Sequence, residues 1–185
     1  MGWVPLVILL GILLILVIWC MSAYNKLISF SVRVDNGWSQ IDVQLKKRFD
    51  LVPNLVETVK GYAAHEKSTL SEVTKWRSAA MNSKTPEEAM ANNAKLSKAI
   101  VNLFATAEQY PDLKANQNFL DLQAQLRDLE GKIAMSRQFY NDTAMKYNEY
   151  LMRFPSNLIA SAFHFERKKY FEVEEADRTV PQVKF

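Results

Sequence analysis

Imidazole is scarce in this sequence, whose 185 residues include two histidines, His65 and His164. His65 is followed by Glu66, the opening of a zinc-protease motif. A helical zinc site needs a second histidine one turn later, so that both ligands share a face, and Thr69 stands there. The serines lie outside any G-x-S-x-G turn. Gly37, Gly61 and Gly131 are isolated rather than gathered into a phosphate-cradling loop. The single cysteine, Cys20, excludes an intramolecular disulfide. No catalytic residue, metal ligand or cofactor site is therefore assigned, and no cofactor is expected. Hydrolytic chemistry around His65, Glu66 and Glu130 is the weaker reading, because no nucleophile and base are placed together.

The informative polar residues are charges on or beside apolar strips: Arg48, Glu57, Glu66, Arg77, Glu108, Glu130 and Arg137. On a helix, Glu130 and Arg137 lie two turns apart on one face, and Glu66 and Arg77 about three turns apart. A charge on a buried face is tolerated only when paired and hydrogen-bonded. The seven are read as a structural polar network of cross-helix pairs that fixes register, in preference to a ligand-binding set. Trp38, Tyr62, Tyr140 and Tyr147 read as core.

The elements that would position these residues are helices. From Trp38, apolar residues recur in steps of three and four through Ile41, Leu45, Phe49, Val52, Leu55, Val59 and Tyr62 to Leu70, Val73 and Trp76. Pro53 interrupts that strip and predicts a kink or a break into two helices, with Asp50 able to cap the second. The first arm is expected to end near Met81 to Thr85. Thr85-Pro86-Glu87-Glu88 reads as a helix start with Thr85 as N-cap, Pro86 at the first position and Glu88 completing a capping box. The next helix shows Ala89, Leu96, Ile100, Leu103, Ala107 and Tyr110 on one face and is expected to stop before Pro111. Its partner is expected from Asp112 to Pro155, on a strip from Phe119 through Leu126, Ile133, Tyr140 and Tyr147 to Phe154. A short helix from Ser156 to about Phe165 closes the series.

Ahead of all this lies Trp3 to Ala23, an apolar run that precedes the first charged side chain, Lys26. About 20 apolar residues in a helix cross a hydrocarbon core of roughly 30 Å. The flank lacks a signal peptide's basic start, and Ile18 and Trp19 replace the small residues a lipobox needs before Cys20, so the run reads as an uncleaved anchor. Trp3, Trp19 and Tyr24 mark its ends. Lys26, Arg33, Lys46, Lys47 and Arg48 follow it, so the positive-inside rule puts the C-terminal part in the cytoplasm and the N-terminus outside.

The fold expected is all-α: an N-terminal transmembrane helix followed by an antiparallel, up-down helical bundle with long helices. The division is 1–25 as anchor, 26–165 as bundle domain and 166–185 as a tail, extended along the surface or partly disordered. The net charge of +3 comes from interleaved signs without a basic aromatic patch, which argues against nucleic acid. The expected partners are membrane lipid and either further copies of the chain or another membrane protein.

Longer strings carry a resemblance. Tyr24-Asn25-Lys26-Leu27, Gly37-Trp38-Ser39-Gln40-Ile41-Asp42-Val43-Gln44-Leu45-Lys46, Asp50 to Glu57 and Lys60-Gly61-Tyr62-Ala63 with His65-Glu66 are similar to the LemA family. So are Tyr110 to Asn116 with Asn118-Phe119, Tyr140-Asn141, Tyr147-Asn148, Phe154-Pro155-Ser156-Asn157 and Tyr170-Phe171-Glu172. Trp76 before Arg77 departs from the family's usual small residue. The resemblance implies a single-pass protein of the bacterial inner membrane with a helical bundle, and it brings no catalytic residues to carry over. It points to a non-enzymatic scaffold or assembly protein of the cell envelope, or to an adaptor or regulator of a membrane protease, since the family's genes often lie near those of membrane metalloproteases.

Overall fold

The computed structural model describes residues 3–171, and part of the tail considered above, residues 172–185, lies outside the described residues. Among the described residues six helices follow one another: α1 (Val4–Tyr62), α2 (Lys67–Met81), α3 (Pro86–Ala107), α4 (Pro111–Lys114), α5 (Gln117–Met152) and α6 (Ser156–Ala162). All regular structure among the described residues is helical, as the periodicity requires. The chain groups into two units, Met1–Ser39 with Ser136–Phe185, and Gln40–Met135.

In the Gln40–Met135 unit, short connections make successive helices antiparallel neighbours, and α2 packs along α3. Ile41, Leu45, Phe49, Val52, Leu55 and Val59 of α1 are buried, together with Leu70 and Val73 of α2, Leu96 and Leu103 of α3, and Phe119, Leu126 and Ile133 of α5. The start of α3 is capped as its sequence indicates. Thr85 is extended (φ −125, ψ 154), and its hydroxyl accepts from the Glu88 N–H at 3.1 Å. The Glu88 carboxylate reaches back to the Lys84 N–H at 2.9 Å, one residue earlier than an ordinary capping box.

Three boundaries differ from the sequence expectation. Helix α1 runs through Pro53 unbroken, so Asp50 caps nothing. A proline lacks the N–H that would bond the carbonyl four residues back, here Phe49. That carbonyl instead accepts from Arg77 Nε at 2.7 Å, so a side chain of α2 replaces the missing donor. The break falls at Ala63 to Glu66 rather than at Pro53, and the first arm is two helices. Tertiary contacts fix it: Ala63 is fully buried, the Tyr62 hydroxyl accepts from Asn116 Nδ2 at 2.9 Å, and Tyr110 donates to Glu66 at 3.0 Å. The bond to the Glu66 carboxylate, with some desolvation, pushes the Tyr110 phenol up. Finally, α3 stops at Ala107, Pro111 opens the short α4, and α5 starts at Gln117 rather than Asp112. Asn116 caps α5, its side-chain oxygen accepting from the Phe119 N–H at 3.0 Å.

In the other unit, α1 up to Ser39 pairs antiparallel with α5 from Ser136. Phe30 meets Tyr150 and Trp38 meets Tyr140, one index rising as the other falls. Gly37 permits the close approach, since a Cβ there would stand 3.3 Å from the Tyr140 Cα. Helix α6 ends in a left-handed cap at His164 (φ 56), with the Phe165 N–H bonding the Ala160 carbonyl at 2.9 Å and the His164 N–H bonding Ser161 at 3.3 Å. This is the Schellman pattern, with histidine where glycine is usual, and it places His164 in a structural role.

The capture of the Phe49 carbonyl predicts a coupling. Arg77→Ala is expected to cost about 2 kcal/mol in the parent, where it strands that carbonyl. In a Pro53→Ala background the restored backbone N–H at position 53 takes the carbonyl, and the loss should fall by about 1 kcal/mol. Urea denaturation of the four proteins in the cycle measures it.

Candidate functional site

Two constellations stand out, one in each unit. In the Gln40–Met135 unit the centre is Arg48, whose side chain is 1% exposed. On α1 it continues the seven-residue series Leu27, Val34, Ile41, Arg48, Leu55, whose other members are buried apolar residues. A guanidinium has five donors in a planar fork and no acceptor, so its burial demands several oxygens. Nη1 donates to Ser97 Oγ at 2.7 Å and Glu130 Oε2 at 2.8 Å. Nη2 donates to Asn93 Oδ1 at 2.6 Å and to the Asn93 carbonyl at 3.4 Å. Ser97 in turn donates to Glu130 Oε1 at 2.8 Å, and Asn93 Nδ2 donates to the Ala89 carbonyl at 2.8 Å. One cation thus ties α1, α3 and α5 together.

Glu130 is 47% exposed and forms part of the wall of a cleft of about 340 Å³, with Arg48, Ile100, Phe104, Glu108 and Leu126 among the other wall residues. The cleft has an apolar wall and charges of both signs. The Ser97 hydroxyl is engaged on both sides, accepting from the Arg48 guanidinium and donating to the Glu130 carboxylate. From Arg48 to the end of α1 at Tyr62 the helix rises roughly 21 Å at about 1.5 Å per residue. His65, beyond that end, and Glu130, beside Arg48, are therefore not neighbours, and a constellation of His65, Glu66 and Glu130 does not form.

Of the seven charged residues named from the sequence, Arg48 and Glu130 meet directly. Arg77 holds the Phe49 carbonyl, Glu66 accepts from Tyr110, and Glu108 lines the cleft. Glu57 lies on the exposed side of α1 within 3.4 Å of Lys60. Arg137, in the other unit, lies over the Phe171 ring at 5.4 Å. The neutral partners Asn93 and Ser97 were not anticipated; their one sequence signal is the four-residue spacing that puts both on the buried side of α3.

The second constellation is a strap. After α6, residues 165–171 carry no regular structure and run against α5. The Asn148 carboxamide accepts from the Lys168 N–H at 2.9 Å and donates to the Lys168 carbonyl at 2.8 Å. Asn141 does the same to Phe171, at 2.8 Å and 3.0 Å. Between these, the Tyr147 hydroxyl donates to the Glu166 carbonyl at 2.9 Å and the Tyr140 hydroxyl to the Lys169 carbonyl at 3.0 Å. Each pair of contacts advances seven residues on α5 for three on the strap. Seven helical residues rise roughly 10.5 Å and three extended ones roughly 9 to 10 Å, so the two repeats nearly coincide. Burial pushes the Tyr147 phenol up, aided by Asp35 and Glu166, and favours the protonated donor. Phe171 stacks on Trp38 with ring centroids 5.8 Å apart, and Lys168 pairs with Asp35 at 3.2 Å. The described part of the tail is therefore extended and bound. The sequence signal was the doublet Tyr140-Asn141 repeated seven residues later as Tyr147-Asn148.

Both constellations yield predictions. Arg48→Ala should destabilise by about 3–5 kcal/mol, because it leaves buried oxygens unpaired, and Glu130→Ala by about 2 kcal/mol, since its carboxylate is half-exposed. The double variant should lose less than the sum in chemical denaturation. Asn148→Asp keeps the acceptor and loses the donor bond to the Lys168 carbonyl. At about 1 kcal/mol for that bond it should accelerate hydrogen exchange of the Lys168 amide roughly fivefold.

The sequence model of the LemA family matches residues 37–185. Protein LemA of Metamycoplasma hominis is 26% identical over 83% of this chain and 71% of its own length. Magnetosome protein MamQ 2 of Paramagnetospirillum magneticum is 24% identical over 84% of this chain and 67% of its own length. Magnetosome protein MamQ of Magnetospirillum gryphiswaldense is 24% identical over 86% of this chain and 70% of its own length. With the family matched through both constellations, from Gly37 to the strap and beyond, this chain belongs to the LemA family.

Proposed function

We propose that this chain is a membrane-anchored, non-enzymatic helical scaffold of the bacterial cell envelope, which assembles with copies of itself or with another membrane protein. The observation that carries the reading is the course of α1. From Trp3 to Ile18 its apolar side chains are exposed on every face, in a stretch long and apolar enough to cross a membrane. From Ala23 the same helix buries a stripe of Ala23, Leu27 and Val34. Anchor and packed helix are one element without a linker, an arrangement suited to holding a bundle at a set height. The names of the similar proteins state no reaction. The basic residues after the anchor favour a cytoplasmic bundle in the inner membrane.

Crosslinking in native membranes, followed by purification in mild detergent, tests the proposal. Ladders of the chain or a crosslinked membrane protein are expected, and a strictly monomeric, partnerless chain would sink it. Recovery of copies of the chain alone would rule against an adaptor of a membrane protease.

A further inference from the structure

The corner between α5 and α6 exposes three large apolar side chains: Phe154 at 76%, Leu158 at 58% and Phe163 at 58%. Their height is fixed by contacts with α1. The Phe163 ring lies 4.8 Å from that of Tyr24, and Lys26 Nζ lies 4.9 Å from the Tyr150 ring, just before α5 ends. Tyr24 and Lys26 are the residues at which the apolar run gives way to charge. A run of about 20 residues spans roughly 30 Å of hydrocarbon, so the corner stands at the level where that hydrocarbon ends. The corner is also held by Ser156, whose one hydroxyl proton is shared between the carbonyls of Tyr150 and Arg153.

We propose that Phe154, Leu158 and Phe163 form a second membrane contact, which seats the α5–α6 corner in the bilayer interface beside the anchor. Aromatic and aliphatic side chains partition to that zone, and Lys26 and Arg153 can extend their charged ends to lipid phosphates while their stems stay apolar. The contact makes the chain grip the bilayer at two places, through the span and through the foot of α5. A bilayer is the occupant that the geometry supplies, because α1 itself carries this patch to the membrane surface. The inference rests on α1 entering the bilayer.

The full-length chain with Cys20→Ser, carrying one nitroxide at a time, is placed in vesicles of phosphatidylcholine and phosphatidylglycerol. The labelled positions are Leu158→Cys, Phe163→Cys, Ile12→Cys in the anchor and Phe139→Cys on the exposed side of α5. Labels at 158 and 163 should collide several times more often with oxygen than with a polar nickel chelate, as at 12, whereas the label at 139 should show the reverse. A labelled chain whose helicity departs from the parent is replaced by the same label at Phe154. If 158 and 163 behave like 139 while 12 remains in lipid, the corner contact is overturned and the anchor stands. If 12 also reports water, the anchor reading fails. Spin–spin broadening at 158 that vanishes on dilution with unlabelled chain would identify a second copy as the occupant and overturn the proposal.

Discussion

A polar group removed from water must find a partner inside the protein, and the arrangement of this chain follows from how that requirement is met. Arg48 illustrates the largest demand. Its position continues a seven-residue series of aliphatic residues, where a leucine would pack with less difficulty. A guanidinium there constrains the neighbouring helices, because Asn93 and Ser97 of α3 and Glu130 of α5 must all arrive in hydrogen-bonding geometry. Sliding either helix by one residue would leave the charge without its oxygens. The residue therefore selects one register among several that apolar packing alone would permit.

The same requirement explains Pro53. Viewed along α1 alone, proline removes a bond; viewed with α2, it supplies an acceptor. The Phe49 carbonyl exists as a docking point because nothing in α1 can reach it, and Arg77 converts an intrahelical defect into a tertiary contact.

What was legible in the sequence was whatever depends on local pattern. The apolar run, the three-four strips of α1 and α5 and the Thr85 cap were readable, because periodicity and capping are properties of neighbouring residues. The unbroken helix at Pro53 was not, since its rescue comes from a residue on another helix. The break at Ala63 was hidden for a similar reason: bonds from Tyr110 and Asn116 impose it on a stretch with no strong breaker of its own. At the candidate site, Arg48 and Glu130 were visible as charges on apolar strips. The neutral Asn93 and Ser97 were not, because asparagine and serine on a helix are ordinary surface residues until a buried cation turns toward them.

The strap has a further consequence. Residues 168 and 171 present the same backbone groups to α5, as do 166 and 169, so the bound segment repeats every third residue rather than every second as in a strand. Strap and helix behave as a pair of gears, three teeth against seven. Such a mesh fixes the register: a shift of one or two residues along α5 would turn the peptide groups of 168 and 171 away from both carboxamides. Its seating thus depends on counting, through the number of residues between the His164 cap and the first asparagine rung, as well as on the side chains of Lys168 and Phe171.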